Sequence, residues 1–400
     1  MKKKMLITCT VVLVTAAVIL GFVLKNQVRE NPDKNTVNVA IGQWGTTQNE
    51  SQNYWNPDNH AVAKGMGGYY FIQTTDGISK IAFFDETTQE AVAVCAKPEC
   101  THSDNTCNAY LCDMKQTGSA LYLTDTIYCY NGYLYLIQCE GGMGKLVRIH
   151  TDGSARETIA DLFANTGVSS ISLVFYENDV YAYDDTGHAG QEEEAEEVIK
   201  KISLTDGTEQ TVFSYTGTGA SIDRGRSFGD KLYFVIREYT KNKETKAVSS
   251  DYKGLFEYDF ATGDTRKAID ADVCDYHADT ENQTLFYFVQ GTGLYAYDMT
   301  QGSNTLIYPA EDELIQCKMS YDGKNLYLFN NGAGRATETK TRIQRYCYVL
   351  DTKGNQIAKI LCNGVVYFGD TDYLFEENGD NLEYMKKENL SDKSEWILIN

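Results

Sequence analysis

The densest group of reactive side chains lies in residues 95–112, where four cysteines and a histidine follow the spacing C-x4-C-x-H-x4-C-x4-C. Paired disulfides are one interpretation, because small loops in secreted domains gain stability from cross-links. A closed, structural zinc site is the second, and free thiols, the form expected in an anaerobic environment, are the third. The spacing leaves all three open. The disulfide candidates are Cys95, Cys100, Cys107 and Cys112, and the metal candidates are Cys95, Cys100, His102 and Cys107.

Aspartates beside predicted strands form a second group of candidate reactive residues. Enzymes that cleave glycosidic bonds use two acids several ångströms apart, so acids that converge in one pocket would favour a hydrolase or lyase acting on a glycan. An acidic chain rich in Asp turns also produces such groups by chance. We therefore expect a non-catalytic binding protein, with the glycan enzyme as the alternative. The candidates are Asp179, Asp184, Asp185, Asp275, Asp279, Asp370 and Asp372.

The sequence lacks the motifs that identify several common enzyme classes. It contains no nucleophile elbow G-x-S-x-G, no H-E-x-x-H, no P-loop and no G-x-G-x-x-G after a strand. A formal charge of −20 argues against nucleic-acid binding, which requires a basic surface. The five histidines offer few general bases, and the third and fourth of them fall in turns or loops that we expect to be solvated. They are His60, His102, His150, His188 and His277.

A unit of polar turn, short strand and second turn recurs seven times and must position these groups. Its clearest copy is residues 321–332, YDGKNLYLFNNG, in which an Asp-Gly turn precedes an apolar run. Alignment of one tyrosine per unit gives a mean spacing of about 50 residues, close to that of kelch-type repeats. The seven runs are residues 69–73, 133–138, 180–183, 232–236, 285–289, 326–329 and 373–376.

Each unit continues with two further runs and is preceded by an apolar stretch before its polar turn, so that four antiparallel strands are predicted per unit. One such sheet cannot bury both of its faces, and a ring of stacked sheets solves this while protecting the strand edges. We predict an all-β fold, a seven-bladed β-propeller over residues 61–400, with six blades if the first and last units merge. A pair of β-sandwiches is the alternative. The cysteine-rich residues 95–112 are expected as an insertion between the first two blades.

Two strand–turn pieces carry a resemblance to known propellers. Residues 148–154 (RIHTDGS) and 320–326 (SYDGKNL) resemble TolB-like and low-density-lipoprotein-receptor-type β-propeller repeats. The loop at residues 95–110 is similar to one in membrane-anchored propeller proteins of anaerobic Gram-positive bacteria. That family has no settled activity, so the resemblance implies architecture and location rather than chemistry.

The amino terminus has the pattern of an uncleaved membrane anchor. Three lysines precede residues 6–24, which carry no charge and are long enough to span a bilayer. The positive-inside rule places residues 1–5 in the cytoplasm and everything after Lys25 outside, in a single-pass protein of the cell membrane. Residues 25–60 are polar and are predicted to be a linker. Its aromatic residues Trp44, Tyr54 and Trp55 could contact the lipid headgroups or the folded domain, and docking on the domain is expected.

Function is expected where the units differ rather than where they agree. The differences are the cysteine insertion, the acidic run at residues 192–197, expected as a solvated loop or short helix, and the long excursion at residues 241–253. The expected partner is an extracellular protein, a peptide or an envelope glycan. No cofactor is expected apart from a structural zinc. Cys9 is predicted to be a small apolar residue of the membrane anchor. The other six cysteines are predicted to be small core residues, namely Cys129, Cys139, Cys274, Cys317, Cys347 and Cys362.

Overall fold

The computed structural model describes most of the chain beyond its first segment, and Val39–Asn400 forms one compact unit. The described residues are 37, 39–41, 44, 50–58, 60–115, 121–164, 171–184, 194–241, 248–331, 344–379 and 381–399. Within these ranges, no helix combines the length and apolar character that a bilayer crossing needs. The predicted anchor at residues 6–24 lies outside the described residues.

Seven antiparallel sheets, each with four strands in sequence order, follow one another along the chain, as predicted. The first has β1 (Val62–Gly65), β2 (Gly68–Thr75), β3 (Ile78–Asp85) and β4 (Ala91–Ala93), with β5 (Tyr110–Asp113) also paired to β3. The second has β6 (Leu121–Tyr130), β7 (Tyr133–Glu140), β8 (Met143–His150) and β9 (Glu157–Ala164). The third has β10 (Ile171–Tyr176), β11 (Asp179–Asp184), β12 (Glu194–Ser203) and β13 (Glu209–Thr218).

The remaining four sheets repeat the same order. The fourth has β14 (Ser221–Phe228), β15 (Lys231–Lys241), β16 (Val248–Asp259) and β17 (Thr265–Ile269). The fifth has β18 (Val273–Asp279), β19 (Thr284–Val289), β20 (Gly293–Asp298) and β21 (Ser303–Pro309). The sixth has β22 (Lys318–Tyr321), β23 (Asn325–Phe329), β24 (Arg345–Asp351) and β25 (Gln356–Cys362). The seventh has β26 (Val365–Val366), β27 (Tyr373–Asn378), β28 (Asn381–Lys386) and β29 (Ile397–Leu398).

The prediction of seven blades is confirmed, and every predicted leading run lies in the second strand of a blade. The turn of the sixth blade shows why the Asp-Gly pair recurs. Asp322 accepts hydrogen bonds from the backbone N–H groups of Lys324 and Asn325 at 3.0 and 2.8 Å, and Gly323 adopts a positive φ of 89°. A short acceptor and a residue without Cβ satisfy the turn that joins two strands.

The ring closes by packing between the first and last blades, since each sheet is built from contiguous strands. Val62 and Tyr69 of the first blade share one apolar cluster with Tyr373 and Phe375 of the seventh. The Tyr69 hydroxyl donates to Asp370 at 2.8 Å. A buried hydrogen bond to a carboxylate therefore accompanies the apolar contact that holds the two ends together.

Residues 50–58 and 60, here called the axial segment, run through the centre of the ring. The segment begins as a 3-10 helix, Glu50–Tyr54, whose Gln52 side chain donates to the Phe175 carbonyl of the third blade at 2.7 Å. Ser320 of the sixth blade donates to the Tyr54 carbonyl at 3.0 Å. These residues belong to the range predicted as a polar linker, and their polar groups bond to buried residues of the inner strands.

Aromatic contacts fix the axial segment further. The Tyr54 ring stacks on His277 of the fifth blade, with centroids 6.5 Å apart, and His60 stacks on Tyr128 of the second at 4.0 Å. Trp55 is 1% exposed and lies against Tyr69 and Phe375. The predicted docking of the linker tryptophans and Tyr54 on the domain is confirmed. The remaining one, Trp44, donates its indole N–H to the Tyr233 hydroxyl at 2.9 Å.

The cysteine-rich insertion and the acidic run occupy places that the sequence did not indicate. Both β4 and β5 pair with β3, so residues 94–109 interrupt the outer strand of the first blade instead of joining two blades. Glu194–Ser203 is a strand, and its first four residues pair with β13. The acidic run was therefore wrongly predicted as a loop or short helix, as far as it is described, because cross-strand pairing outweighs its local charge.

Glu376 of β27 gives this fold a pH dependence. The side chain is fully buried, and Oε2 accepts from the N–H groups of Asn363 and Gly364 at 3.1 and 3.4 Å. Its Oε1 has no hydrogen-bond partner among the described residues. Burial raises the pKa of Glu376 to about 7. The folded state therefore binds the carboxyl proton of Glu376 more tightly than the unfolded state does. The stability that the protonated side chain contributes is lost as pH rises from 4.5 to about 7.

Glu376→Gln should therefore change the pH profile of unfolding. The free energy of unfolding of the variant minus that of the parent chain is expected to rise by about 2–3 kcal/mol from about pH 5 to about pH 8. Only the parent loses stability over this range, and each pKa unit corresponds to about 1.4 kcal/mol. Urea unfolding at both pH values measures this difference. The exposed Glu388→Gln is the matched control, and a difference that is the same at both pH values for Glu376→Gln would contradict the assignment.

Candidate functional site

The predicted acids of the fifth blade are structural. Asp275 is fully buried and bonds to an Arg226 guanidinium nitrogen at 2.7 Å and to the Met319 backbone N–H at 2.8 Å. Asp279 accepts from the Tyr321 hydroxyl at 2.8 Å. Both carboxylates bridge the inner strands of neighbouring blades, so their polar capacity is used within the scaffold.

The other predicted acids are dispersed, with one exception. Asp179 forms an ion pair with Lys201 at 2.9 Å, and Asp184 ends β11 in a half-buried position. Asp185 lies outside the described residues. The structure brings together Asp370 and Asp372, whose oxygens lie within 4.8 Å of each other and of a Glu86 oxygen. This acidic group faces Lys64, which pairs with Glu86 at 2.5 Å and with Asp370 at 3.2 Å.

A cavity of about 540 Å³ opens near this group, at the end of the ring where first strands turn into second strands, here called the turn face. Its charged lining is nearly balanced, with four acids and three lysines. Lys387 is buried, and its ammonium reaches the Asp370 carbonyl at 2.5 Å, the Gly369 carbonyl at 3.3 Å and the Asp322 carboxylate at 3.4 Å. That lysine is held by the protein itself, which makes it a structural cation.

A smaller cavity of about 230 Å³ opens at the opposite end, the loop face, where second strands lead to third strands. We call it the loop-face pocket. It lies between the fourth and sixth blades and reaches the axial segment at Asp58. Tyr252 and Asn330 contribute polar atoms to its wall. The full lining is Asp58, Asp223, Arg224, Arg237, Tyr252, Gln316, Cys317, Lys318, Phe329, Asn330 and Asn331.

Basic side chains outnumber acids in the loop-face pocket. Arg224 forms an ion pair with Asp58, and Arg237 forms one with Asp223 at 2.8 Å. Lys318 is the third cation, 3.8 Å from Asp58. Burial raises the pKa of Asp223, and the neighbouring Arg237 opposes that shift. The lining thus carries three cations and two carboxylates. Asp275 lies behind it and pairs with Arg224 at 3.6 Å and with Arg226 at 2.7 Å, so the whole group holds four cations and three carboxylates, a surplus of one positive charge.

Two of the strand-to-strand connections that follow strands lining the pocket are basic in sequence. β15 and β16 of the fourth blade are joined by residues 242–247, which carry two lysines and one glutamate. β23 and β24 of the sixth blade are joined by residues that include 332–343, with two arginines, one lysine and one glutamate. The strands that frame the loop-face pocket thus lead into segments with the opposite sign to the whole chain.

Sequence reasoning missed this pocket because its members are far apart in the chain. One local signal was present: β14 reads SIDRGRSF and is buried along its whole length, although three of its residues are charged. Arg224 also has a positive φ of 61°, which is uncommon for a residue with a side chain. Buried charged residues in an inner strand indicate that ion pairs form inside the scaffold at this place.

Four predicted ligand atoms converge in the insertion of the first blade. The Sγ atoms of Cys95, Cys100 and Cys107 and a ring nitrogen of His102 all lie within 4.8 Å of one another. His102 Nδ1 is 3.2 Å from Cys107 Sγ. Cys112 stands outside this group, where its thiol contacts the Met114 sulfur at 3.8 Å.

No disulfide joins any of the ten cysteines that the structure describes, so the disulfide interpretation of residues 95–112 has no support in it. Four of the six cysteines predicted as core residues are buried, and the other two are partly buried. The Cys274 thiol donates to the Cys317 carbonyl at 3.7 Å. The buried four are Cys274, Cys317, Cys347 and Cys362, and the partly buried two are Cys129 and Cys139.

The described histidines divide between scaffold and surface. Burial lowers the pKa of His60 to about 4 and that of His277 to about 3, so both are neutral parts of the axial packing. His150 lies half-buried against the Tyr133 ring at 4.3 Å. His188 lies outside the described residues. Neither His60 nor His277 reaches the loop-face pocket lining, so the pocket gains no imidazole base from them.

Comparison with known proteins gives likeness in structure but not in sequence. No family model and no curated protein matches the chain. BamB from Moraxella catarrhalis is similar with 12% identity and a TM-score of 0.44, over 81% of this chain and 83% of that one. A protein from Lactobacillus plantarum is similar with 13% identity and a TM-score of 0.46, over 82% of this chain and 92% of that one. Sqt1 from Saccharomyces cerevisiae is similar with 10% identity and a TM-score of 0.41, over 90% of this chain and 100% of that one. At these values the likeness does not extend to ligand or activity.

Proposed function

We propose that this chain is a non-catalytic binding module whose loop face captures an acidic segment of a protein or peptide. The observation that carries the proposal is the charge of the loop-face pocket. Arg224, Arg237 and Lys318 meet there, although the chain as a whole has a formal charge of −20. A positive pocket in an acidic molecule attracts an anionic group to one place and repels it elsewhere.

The size of the pocket favours a protruding side chain over a free small molecule. Its volume of about 230 Å³ is below the roughly 300–1,000 Å³ that small-molecule sites usually offer. An Asp or Glu side chain of a larger partner fits such a space, and the guanidinium of Arg237 and the ammonium of Lys318 are suited to a carboxylate.

The place of action follows from the sequence of the amino terminus. Residues 6–24 would tether the propeller to the cell membrane as a single-pass anchor, with residues 1–5 in the cytoplasm and the ring outside. The support is the uncharged run behind Lys2, Lys3 and Lys4. The partner would then be extracytoplasmic, carried on a protein or peptide that reaches the membrane surface.

Lys318→Gln tests the binding site. The full-length chain should bind a fluorescent oligo-glutamate peptide, and the variant should bind it about ten- to a hundredfold more weakly, because a hydrogen bond to a charged group contributes about 1.5–3 kcal/mol. Fluorescence anisotropy at increasing salt measures both dissociation constants. Binding should weaken with salt, as expected for an exposed ion pair.

The matched control is Lys386→Gln, an exposed lysine of the turn-face cavity. It should leave peptide binding unchanged. Equal losses in the Lys318 and Lys386 variants, or equal binding of an oligo-lysine peptide, would show that the loop-face pocket is not the site. Urea unfolding of both variants separates a loss of binding from a loss of fold.

The glycan hydrolase or lyase remains the second candidate, on a different pair of acids from the predicted one. Asp58 and Asp223 both line the loop-face pocket, and the pKa of Asp223 is raised by burial. Each is paired with an arginine, which favours binding over proton transfer. Incubation with a carboxylated polysaccharide, followed by assay of new reducing ends and unsaturated products, would favour the enzyme if turnover occurs and is lost in Asp223→Asn.

A further inference from the structure

We propose that the insertion in the first blade binds one Zn²⁺, with Cys95, Cys100, His102 and Cys107 as its four ligands. The proposal is independent of the binding function assigned to the loop face. Four ligand atoms from separate turns of one loop lie within 4.8 Å of one another. A tetrahedral zinc with Zn–S bonds of about 2.3 Å requires its sulfurs to be about 3.8 Å apart, so a single ion can bridge a group of this size.

The donor set selects the metal. Three thiolates and one imidazole form the Cys₃His combination of structural zinc sites, whereas calcium and magnesium prefer oxygen ligands. Four protein ligands complete the tetrahedron and leave no position for a substrate or water. The site would therefore be structural and not catalytic.

The loop has little apolar packing to hold it in place. Residues 96–99, 101 and 103–106 are exposed, and Cys107 is the buried ligand, 1% exposed. Glu99 and His102 adopt positive φ values of 56° and 55°, which cost free energy for residues that have a side chain. A loop without an apolar core, which nevertheless turns four soft donors inward, is stabilised when those donors share one ion.

Local hydrogen bonds support this arrangement of the donors. Asp104 accepts from the Thr106 backbone N–H at 2.9 Å, and the Cys107 N–H donates to the Asp104 carbonyl at 3.1 Å, which forms the turn before the last ligand. The Lys97 N–H points at Cys95 Sγ at 3.5 Å. An amide N–H that faces a sulfur stabilises the thiolate form that a metal requires.

A disulfide accounts for less of the geometry. Two of the three clustered cysteines could pair, but a disulfide would not explain why the third thiol and His102 also lie within 4.8 Å of them. Cys112, the fourth cysteine that a two-bridge scheme needs, stands outside the group and contacts Met114. One ion uses all four converging donors, and no arrangement of disulfides does.

The metal would fix a contact between two blades. Directly after the last ligand, Asn108 donates to the Gly153 carbonyl at 2.7 Å, and Arg156 of the second blade donates to the Tyr110 carbonyl at 2.8 Å. Zinc would hold residues 95–107 in the shape that presents these groups. The insertion thereby becomes a clasp between the outer strand of the first blade and the outer turn of the second.

Elemental analysis of the purified full-length chain tests the site. One zinc per chain is expected, and Cys100→Ser should weaken zinc affinity by more than about a hundredfold, because loss even of an outer-shell partner costs about 10–100-fold. Cys112→Ser is the matched control and should retain the full zinc content. Cobalt(II) substituted into the parent chain should give the charge-transfer absorption of thiolate ligands, and Cys100→Ser should lose it.

Two results would overturn the proposal. One is an absence of zinc from the parent chain, together with cobalt spectra that are the same in the parent and in Cys100→Ser. The other is an intact mass, measured without reductant, that is lower by two hydrogens per bridge and so reveals disulfides. Circular dichroism of Cys100→Ser keeps the test valid, since the six blades outside the insertion should retain their β signal if only the metal is lost.

Discussion

Trp55→Ala is expected to destabilise the folded chain by about 3–5 kcal/mol, the range for large-to-small changes at buried aromatic positions. The indole is 1% exposed and contacts His60 within the axial segment, Tyr69 of the first blade and Phe375 of the seventh. One truncation therefore leaves a cavity where the axis, the start of the ring and its end meet. Urea unfolding at neutral pH measures the effect.

The control for this substitution is Trp396→Ala. Trp396 precedes the outermost strand of the seventh blade, is half-buried and donates one indole hydrogen bond to the Leu361 carbonyl at 3.1 Å. Its loss should cost about 1 kcal/mol, typical of a partly exposed position. If both tryptophans cost the same, the axial segment contributes no more to stability than an outer strand does, and its central role is wrong.

Asp275→Asn is expected to cost about 3–5 kcal/mol, although the side chain keeps its shape. The substitution leaves the buried Arg226 guanidinium without a counter-ion, and removal of one partner of a buried pair has costs in this range. Arg226 is 1% exposed and also donates to the Tyr276 and Met319 carbonyls at 2.7 and 2.8 Å. The charge therefore cannot move to water without opening the contact between three blades.

A variant with both partners replaced separates the cost of the unpaired Arg226 charge from the other costs of changing buried side chains. Arg226→Met combined with Asp275→Leu should recover part of the lost stability, because apolar replacement of both partners removes the uncompensated charge. Recovery is incomplete because the Met319 N–H and the Tyr276 and Met319 carbonyls lose these hydrogen-bond partners. Asp270→Asn is the exposed control; its partner Lys267 lies 2.8 Å away, and the change should stay within about 0.5 kcal/mol. A double variant less stable than Asp275→Asn would show that the guanidinium is not the source of the cost.

The fold could be predicted because its information is local and repeated. Each blade carries a polar turn such as Asp322-Gly323, followed by an apolar run that fills the second strand, and the same pattern recurs along the chain. Repetition corrects errors in any one unit. It also fixes the architecture, since four-stranded units of this period bury their faces only by stacking in a ring.

The candidate sites could be predicted only where their residues are close in sequence. Cys95, Cys100, His102 and Cys107 lie within one loop, so their spacing alone indicates a shared chemistry. The loop-face pocket joins residues from the axial segment, the fourth blade and the sixth blade, and no spacing rule connects Asp58 with Lys318. The axial segment was predicted as a linker because its polar composition is typical of solvated chain, and its partners are carbonyls and hydroxyls elsewhere in the ring.

The path of the axial segment also determines how the molecule bears mechanical load. A pull on the chain before Val39 would first load the outer strand of the fourth blade, where Val39 pairs with Ile269 and the Ala40 N–H donates to the Ala268 carbonyl at 2.8 Å. It would then load the axial segment, which bonds to Phe175, His277 and Ser320 in three different blades. Those bonds must shear together, whereas a pull on an outer strand would open one sheet bond by bond. Once the contacts of Val39 and Ala40 have opened, the axial segment therefore distributes a pulling force over several blades at the same time.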